Sequence, residues 1–116
     1  YRGLQSLADL ALNQLKDVLD AIATQNMAQI NAVRDRDEEI DAMYTSLFRE
    51  LLTYMMEDPR NITACTHLLF CAKNIERIGD HATNIAETVY YVVTGSQMPP
   101  ERPKEDRSPS IVVDEA

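Results

Sequence analysis

The chain has no tryptophan, two phenylalanines and only three glycines, Gly3, Gly79 and Gly95, among 116 residues. Four of its five prolines, Pro99, Pro100, Pro103 and Pro109, fall in the last eighteen residues. The first 95 residues therefore hold almost none of the turn chemistry that hairpins and sandwiches need, which excludes β architecture and leaves long helices. No apolar run approaches the ~20 residues that span a bilayer, and no charged-then-apolar signal opens the sequence, so a cytosolic protein is expected. Because the sequence opens on Tyr1 and not on Met, a fragment or processed product is expected. Positive charge is scarce: 11 Lys and Arg stand against 19 Asp and Glu, and a net charge of −8 argues against nucleic acid as a partner. Two cysteines, Cys65 and Cys71, suit neither a local disulfide nor C-x-x-C redox or zinc spacing, and are expected to be reduced and buried.

What is present is helical periodicity. Leu4, Ala8, Ala11, Leu15, Val18, Ile22, Ile30 and Val33 keep a three-and-four spacing that predicts one helix over residues 4 to 33. A second stripe runs through Ile40, Met43, Tyr44, Leu47, Leu51 and Tyr54, with Arg34 to Asp37 as a short connection, Asp35 as cap and Glu38 completing a capping box. Asp58-Pro59 predicts the start of a third helix, whose stripe includes Leu68, Cys71, Ala72, Ile75, Ile78, Gly79, Ala82, Ile85, Val89 and Val92, with Gly95 as a left-handed stop. Short connections make successive helices antiparallel, so residues 1–95 are expected to form an all-α, up-down-up three-helix bundle. Residues 96–116 are expected to be a disordered, acidic, proline-containing tail, interrupted only by Ile111-Val112-Val113. On these boundaries the second helix is short and reaches only to the level of His81. Ile85, Val89, Val92 and Val93 then form an apolar overhang, from which association with a second copy or another helical surface is expected.

Two acidic pairs share one spacing, Asp37-x-x-x-Asp41 and Glu76-x-x-x-Asp80, and residues four apart on a helix are neighbours on one face. At ~100° per residue, both pairs lean off their core stripes in the same rotational sense, and reflection about Pro59 places them level. Four carboxylates are thus expected to meet between helices two and three, with Asn84 and Glu87 continuing the stripe. Carboxylate oxygens suit hard cations such as magnesium, calcium, manganese or iron. The alternative is a solvated acidic face with Arg77 and Arg34 as partial counter-ions. His81 falls on the opposite side of the core centre and is expected to be exposed, and His67 carries no signal. No Glu-x-x-His element, Gly-rich phosphate loop, nucleophile elbow or H-E-x-x-H motif occurs, so the protein is not expected to be an enzyme. Gly79, about 40° from the core centre, is expected to let a neighbouring helix approach closely.

The run Lys73-Asn74-Ile75-Glu76-Arg77-Ile78-Gly79-Asp80-His81-Ala82-Thr83-Asn84-Ile85-Ala86-Glu87 resembles the signature helix of the PhoU family of phosphate-signalling regulators. Asp37-Glu38-Glu39-Ile40-Asp41 resembles the family's upstream acidic motif, and the order of helices from Leu4 to Gly95 is that of one of its two three-helix repeats. Proline and charge after the last helix suggest the C-terminal repeat. The resemblance implies a multinuclear metal site, with iron favoured over zinc, manganese or magnesium, and the ligand candidates Asp37, Asp41, Glu76, Asp80 and, by position, Asn84. It further implies a negative regulator of phosphate uptake and phosphate-starvation signalling. Such a regulator is a cytoplasmic adaptor, peripheral to the inner membrane through its partners, between a sensor histidine kinase and the ATPase of the phosphate ABC transporter. It represses the Pho regulon indirectly. A reading from another class is a histidine phosphotransfer or kinase dimerisation bundle that uses His81 as phosphoacceptor, although the fourth helix of the former is absent.

Overall fold

The structure, a computed structural model, describes residues 2–99. Three helices, α1 (Arg2–Thr24), α2 (Met27–Glu57) and α3 (Ile62–Thr94), run up, down and up, with a 3₁₀ turn at Pro59–Asn61 before α3. Among the described residues there is no strand, as the scarcity of turn residues requires.

The first turn lies ten residues earlier than the periodicity suggests. α1 stops at Thr24, Gln25 takes a left-handed φ of 53°, and its N–H closes onto the Ala21 carbonyl at 2.7 Å. Asn26 then caps α2, its side-chain oxygen accepting from the N–H groups of Ala28 at 2.9 Å and Gln29 at 3.4 Å. Two backbone donors that the new helix cannot use internally are thereby satisfied. The expected connection at Arg34 to Asp37 is instead interior to α2, so Asp35 caps nothing and Glu38 completes no capping box.

This shift overturns the expected overhang. Ile30 and Val33 belong to α2 and lie beside the second half of α3, in a core cluster with Val18, Ala21, Ala82 and Ala86. Ile85, Val89 and Tyr90 pack against that cluster, and Tyr91, Val92 and Val93 stay exposed at the end of α3. A second cluster joins Leu7, Ile40, Tyr44, Leu47, Leu51, Cys65 and Ala72. In α1 the buried line is Leu7, Ala11, Gln14, Val18 and Ala21, so Leu4, Ala8 and Leu15 sit at its edge and Ile22 is exposed. Both cysteines are free, but only Cys65 is buried. Six residues at ~100° each leave Cys71 about 120° around the helix from it, which corrects the expectation for that thiol.

At the far end Asp58 caps the 3₁₀ turn by accepting from the Arg60 N–H at 3.0 Å. The Arg60 guanidinium and N–H hold its carboxyl below the usual carboxylate range. Gly95, at φ 76°, ends α3 with its N–H on the Tyr91 carbonyl. Beyond it the chain turns back: Met98 packs against the second cluster and the Arg34 guanidinium donates to the Pro99 carbonyl. Residues 100–116 of the expected tail, Ile111 to Val113 included, lie outside the described residues.

Three contacts set the register of α2 on α3. A Cβ on Gly79 would stand 2.9 Å from Ile40 Cδ1, the Thr83 hydroxyl is 3.1 Å from Asp37 Oδ1, and Lys73 lies over the Tyr44 ring. Gly79→Leu is expected to lower stability by about 1–3 kcal/mol through overpacking against fully buried Ile40, measured by urea unfolding. Asn26→Ala is expected to cost about 1 kcal/mol in the same assay by removing the α2 cap.

Candidate metal centre

The carboxylates lie along the seam that the α2–α3 register creates. Asp37, Asp41 and Asp80 each bring one oxygen into a group whose members are all within 4.8 Å of one another. Asp37 is 9% exposed and Asp41 3% exposed, because the seam lies between helices and not on their outer faces. The dimension suits a cation: oxygens on opposite sides of an ion bound at 2.0–2.6 Å stand about 4–5 Å apart. The donor set is all oxygen, which fits magnesium, calcium, manganese or iron better than a thiolate-preferring site. Without a cation, each pair of like charges at about 4 Å repels by up to ~4 kcal/mol at an effective dielectric of 20, before any counter-charge.

Neighbouring groups hold these side chains. The Thr83 hydroxyl is 3.1 Å from both Asp37 Oδ1 and the Gly79 carbonyl, and its single proton serves one of them at a time. Glu76, one turn before Asp80, is 1% exposed. Its Oε1 accepts from Lys73 Nζ at 2.9 Å, whereas Oε2 is buried and has no hydrogen-bond partner. Such an oxygen is costly to bury, and a cation is one group that satisfies it. Thr45, one turn beyond Asp41, likewise buries a hydroxyl oxygen without a partner.

Of the five residues singled out from the sequence, the structure brings three together. Glu76 is buried on the same stripe of α3, and Asn84, a turn beyond Asp80, is exposed in a surface recess with Arg34, Glu87, Tyr91 and Met98. His81 is exposed and lines a different groove, with Ile22 of α1 and Ile85 and Val89 of α3; His67 is exposed as well. Sequence reasoning missed Thr83 and Lys73. Each stands three residues from a carboxylate, Thr83 from Asp80 and Lys73 from Glu76, a spacing at which helical side chains meet. Lys73, and not the exposed Arg77, is the cation on Glu76.

A family model described as PhoU domain matches residues 4–89. A Rhizobium meliloti protein named phosphate-specific transport system accessory protein PhoU homolog is 71% identical over 110 residues, covering 95% of this chain and 46% of its own length. A Caulobacter vibrioides protein of the same name is 55% identical over 105 residues, 90% of this chain and 46% of that protein. The Escherichia coli phosphate-specific transport system accessory protein PhoU is 42% identical over 93 residues, 80% of this chain and 39% of that protein. No solved structure gives a significant match. The chain spans about half the length of the curated relatives it matches. A domain match across most of the sequence, on a three-helix bundle with acidic pairs level on its second and third helices, shows that the chain belongs to the PhoU family.

Proposed function

We propose that this chain is a metal-binding unit of a phosphate-transport accessory protein. It would act as a negative regulator of phosphate uptake and of the Pho regulon, through contacts with the transporter ATPase and a sensor histidine kinase. The observation that carries the metal reading is the meeting of Asp37, Asp41 and Asp80 within 4.8 Å, with the buried, unpartnered Glu76 Oε2 one turn before Asp80 on α3. The names of the relatives support the transport role, since each is called an accessory protein of a phosphate-specific transport system. Asp37, Asp41 and Asp80 would hold the cation, with Glu76 beside them, and Asn84 joins only by reaching in from the surface. Iron is the favoured occupant, with manganese, zinc and magnesium as alternatives. When bound, the ion supplies positive charge to the seam and ties α2 to α3; no reaction is proposed.

Adaptor action needs a surface for partners. Leu12, Leu19 and Ile22 of α1 and Ile78 and Val92 of α3 are exposed apolar side chains of the kind a partner protein or a second copy covers. The earlier ground for self-association, a helix-three overhang, does not survive the register of α2, so an oligomer rests on these residues alone. No described helix is long and apolar enough to cross a membrane, which agrees with peripheral attachment through partners. Phosphotransfer through His81 has only the exposure of that side chain in its favour.

The intact protein purified without added metal, analysed for bound metal and melted with and without chelator, tests the reading. Wild type is expected to carry metal and to melt higher when loaded, by an amount corresponding to about 2.7 kcal/mol at a hundredfold excess of ion over Kd. Asp80→Asn is expected to carry none, and in chelator to melt at or above wild type because one of three mutually repelling charges is gone. In a bacterium lacking its own PhoU, wild type is expected to restore repression of a phosphate-starvation reporter and Asp80→Asn to fail. Metal-free wild type with no melting shift from iron, manganese, zinc or magnesium overturns the metal site, and failure to restore repression overturns the regulatory role.

A further inference from the structure

We infer that Lys73 is a tethered counter-ion of the carboxylate seam, whose ammonium competes with the cation proposed there and leaves Glu76 when the seam is loaded. This rests on the metal reading above and assigns the control of that site. Lys73 Nζ is 2.9 Å from Glu76 Oε1 and 5.3 Å from the centroid of the Tyr44 ring, so it bridges α3 to α2 at the level where the acidic stripe begins. The two partners are unequal: the Glu76 side chain is 1% exposed, the Lys73 side chain 44%. The carboxylate is held inside the protein, and the ammonium reaches in from solvent on a flexible stem.

Helix support alone does not explain this pair, because a Lys ahead of a Glu is the poorer orientation for a helical ion pair. Neither does it satisfy Glu76, which keeps a buried oxygen without a partner. What Lys73 does supply is positive charge on Glu76, one turn before Asp80, which offsets part of the negative charge at that end of the seam when no ion is bound. A compact, strongly hydrated ammonium on a four-carbon stem suits an ion that must leave, whereas an arginine fork would hold the carboxylate at two points. A divalent ion drawing on Glu76 meets Lys73 both as a like charge and as a rival for the same carboxylate. Whatever Lys73 contributes to the empty state is therefore subtracted from the affinity for the ion.

The test uses the intact protein, calorimetric titration with Mn²⁺, melting in chelator, and NMR of the Lys73 ε-methylene and Tyr44 ring on adding diamagnetic Mg²⁺. Lys73→Met is expected to bind Mn²⁺ more tightly, on the order of ten-fold, since one repelling charge is removed, and to melt lower in chelator. Lys73→Arg, which keeps the charge, is expected to bind Mn²⁺ no more tightly than wild type. In wild type, saturating Mg²⁺ is expected to shift the Lys73 and Tyr44 resonances together. Unchanged or weaker Mn²⁺ binding by Lys73→Met, or Lys73 and Tyr44 signals that do not move in a protein that binds Mg²⁺, overturns the inference and leaves Lys73 a structural partner of Glu76. Absence of binding by wild type and Lys73→Met alike overturns the metal reading itself.

Discussion

The close approach of α2 and α3 at Gly79 is the constraint on which the acidic seam depends. Ile40 Cδ1 stands where a side chain at that position would begin, so the two helices come nearer than any larger residue allows. That approach puts Asp80, one residue on, within reach of Asp37 and Asp41, which flank Ile40 on the facing helix. It also places a polar layer across a core that is otherwise apolar. Gln14 of α1, 1% exposed, donates to the Val33 carbonyl at 2.6 Å, and Thr83 reaches Asp37. The cluster around Leu7 and Ile40 and the cluster around Val18 and Ile30 bury the apolar surface that offsets this unfavourable layer.

The α2–α3 pairing was legible in the sequence because its signals are local and strong. Asp58-Pro59 marks a cap and a first helical position, and the apolar period on either side is unbroken, so reflection about Pro59 places Asp37 near His81. The contacts of Ile40 with Gly79 and of Asp37 with Thr83 agree with that register to within two residues. The α1–α2 turn was hidden for equally physical reasons. Gln25 takes a left-handed conformation that glycine usually supplies, and the one local signal, the capping-box spacing of Asn26 and Gln29, is outweighed by an apolar stripe that runs on through it. Its trace is a gap of eight between Ile22 and Ile30, about 80° past two full turns at ~100° per residue, which a broad apolar stripe still accommodates.

Within the site, spacing finds the carboxylates but not their roles. Glu76 and Asp37 have the same place in their motifs, yet Asp37 meets the other two aspartates while Glu76 is held by Lys73. The difference lies in side-chain reach and in which neighbour supplies a counter-charge, and neither follows a helical period. The same limit applies to Cys71, which shares a stripe with Ala72 on paper and faces solvent in the bundle.

The early turn at Gln25 also moves the mismatch in helix length to the opposite end of the molecule. A Cβ on Gly3 would meet Leu47 and Glu50, so the first turn of α1 lies level with those residues. Beyond Leu51, which is buried in the cluster with Leu7, α2 and α3 meet in a tip closed by Asp58 and carrying exposed Met56 and Ile62. None of residues 52–62 is buried, so this tip is expected to open more readily than the middle of the bundle. Amide protons there are expected to exchange faster than those in the layer where Gly79 meets Ile40. The carboxylates thus sit in the well-packed part of the α2–α3 hairpin, and whatever compliance it has is left to the end away from them.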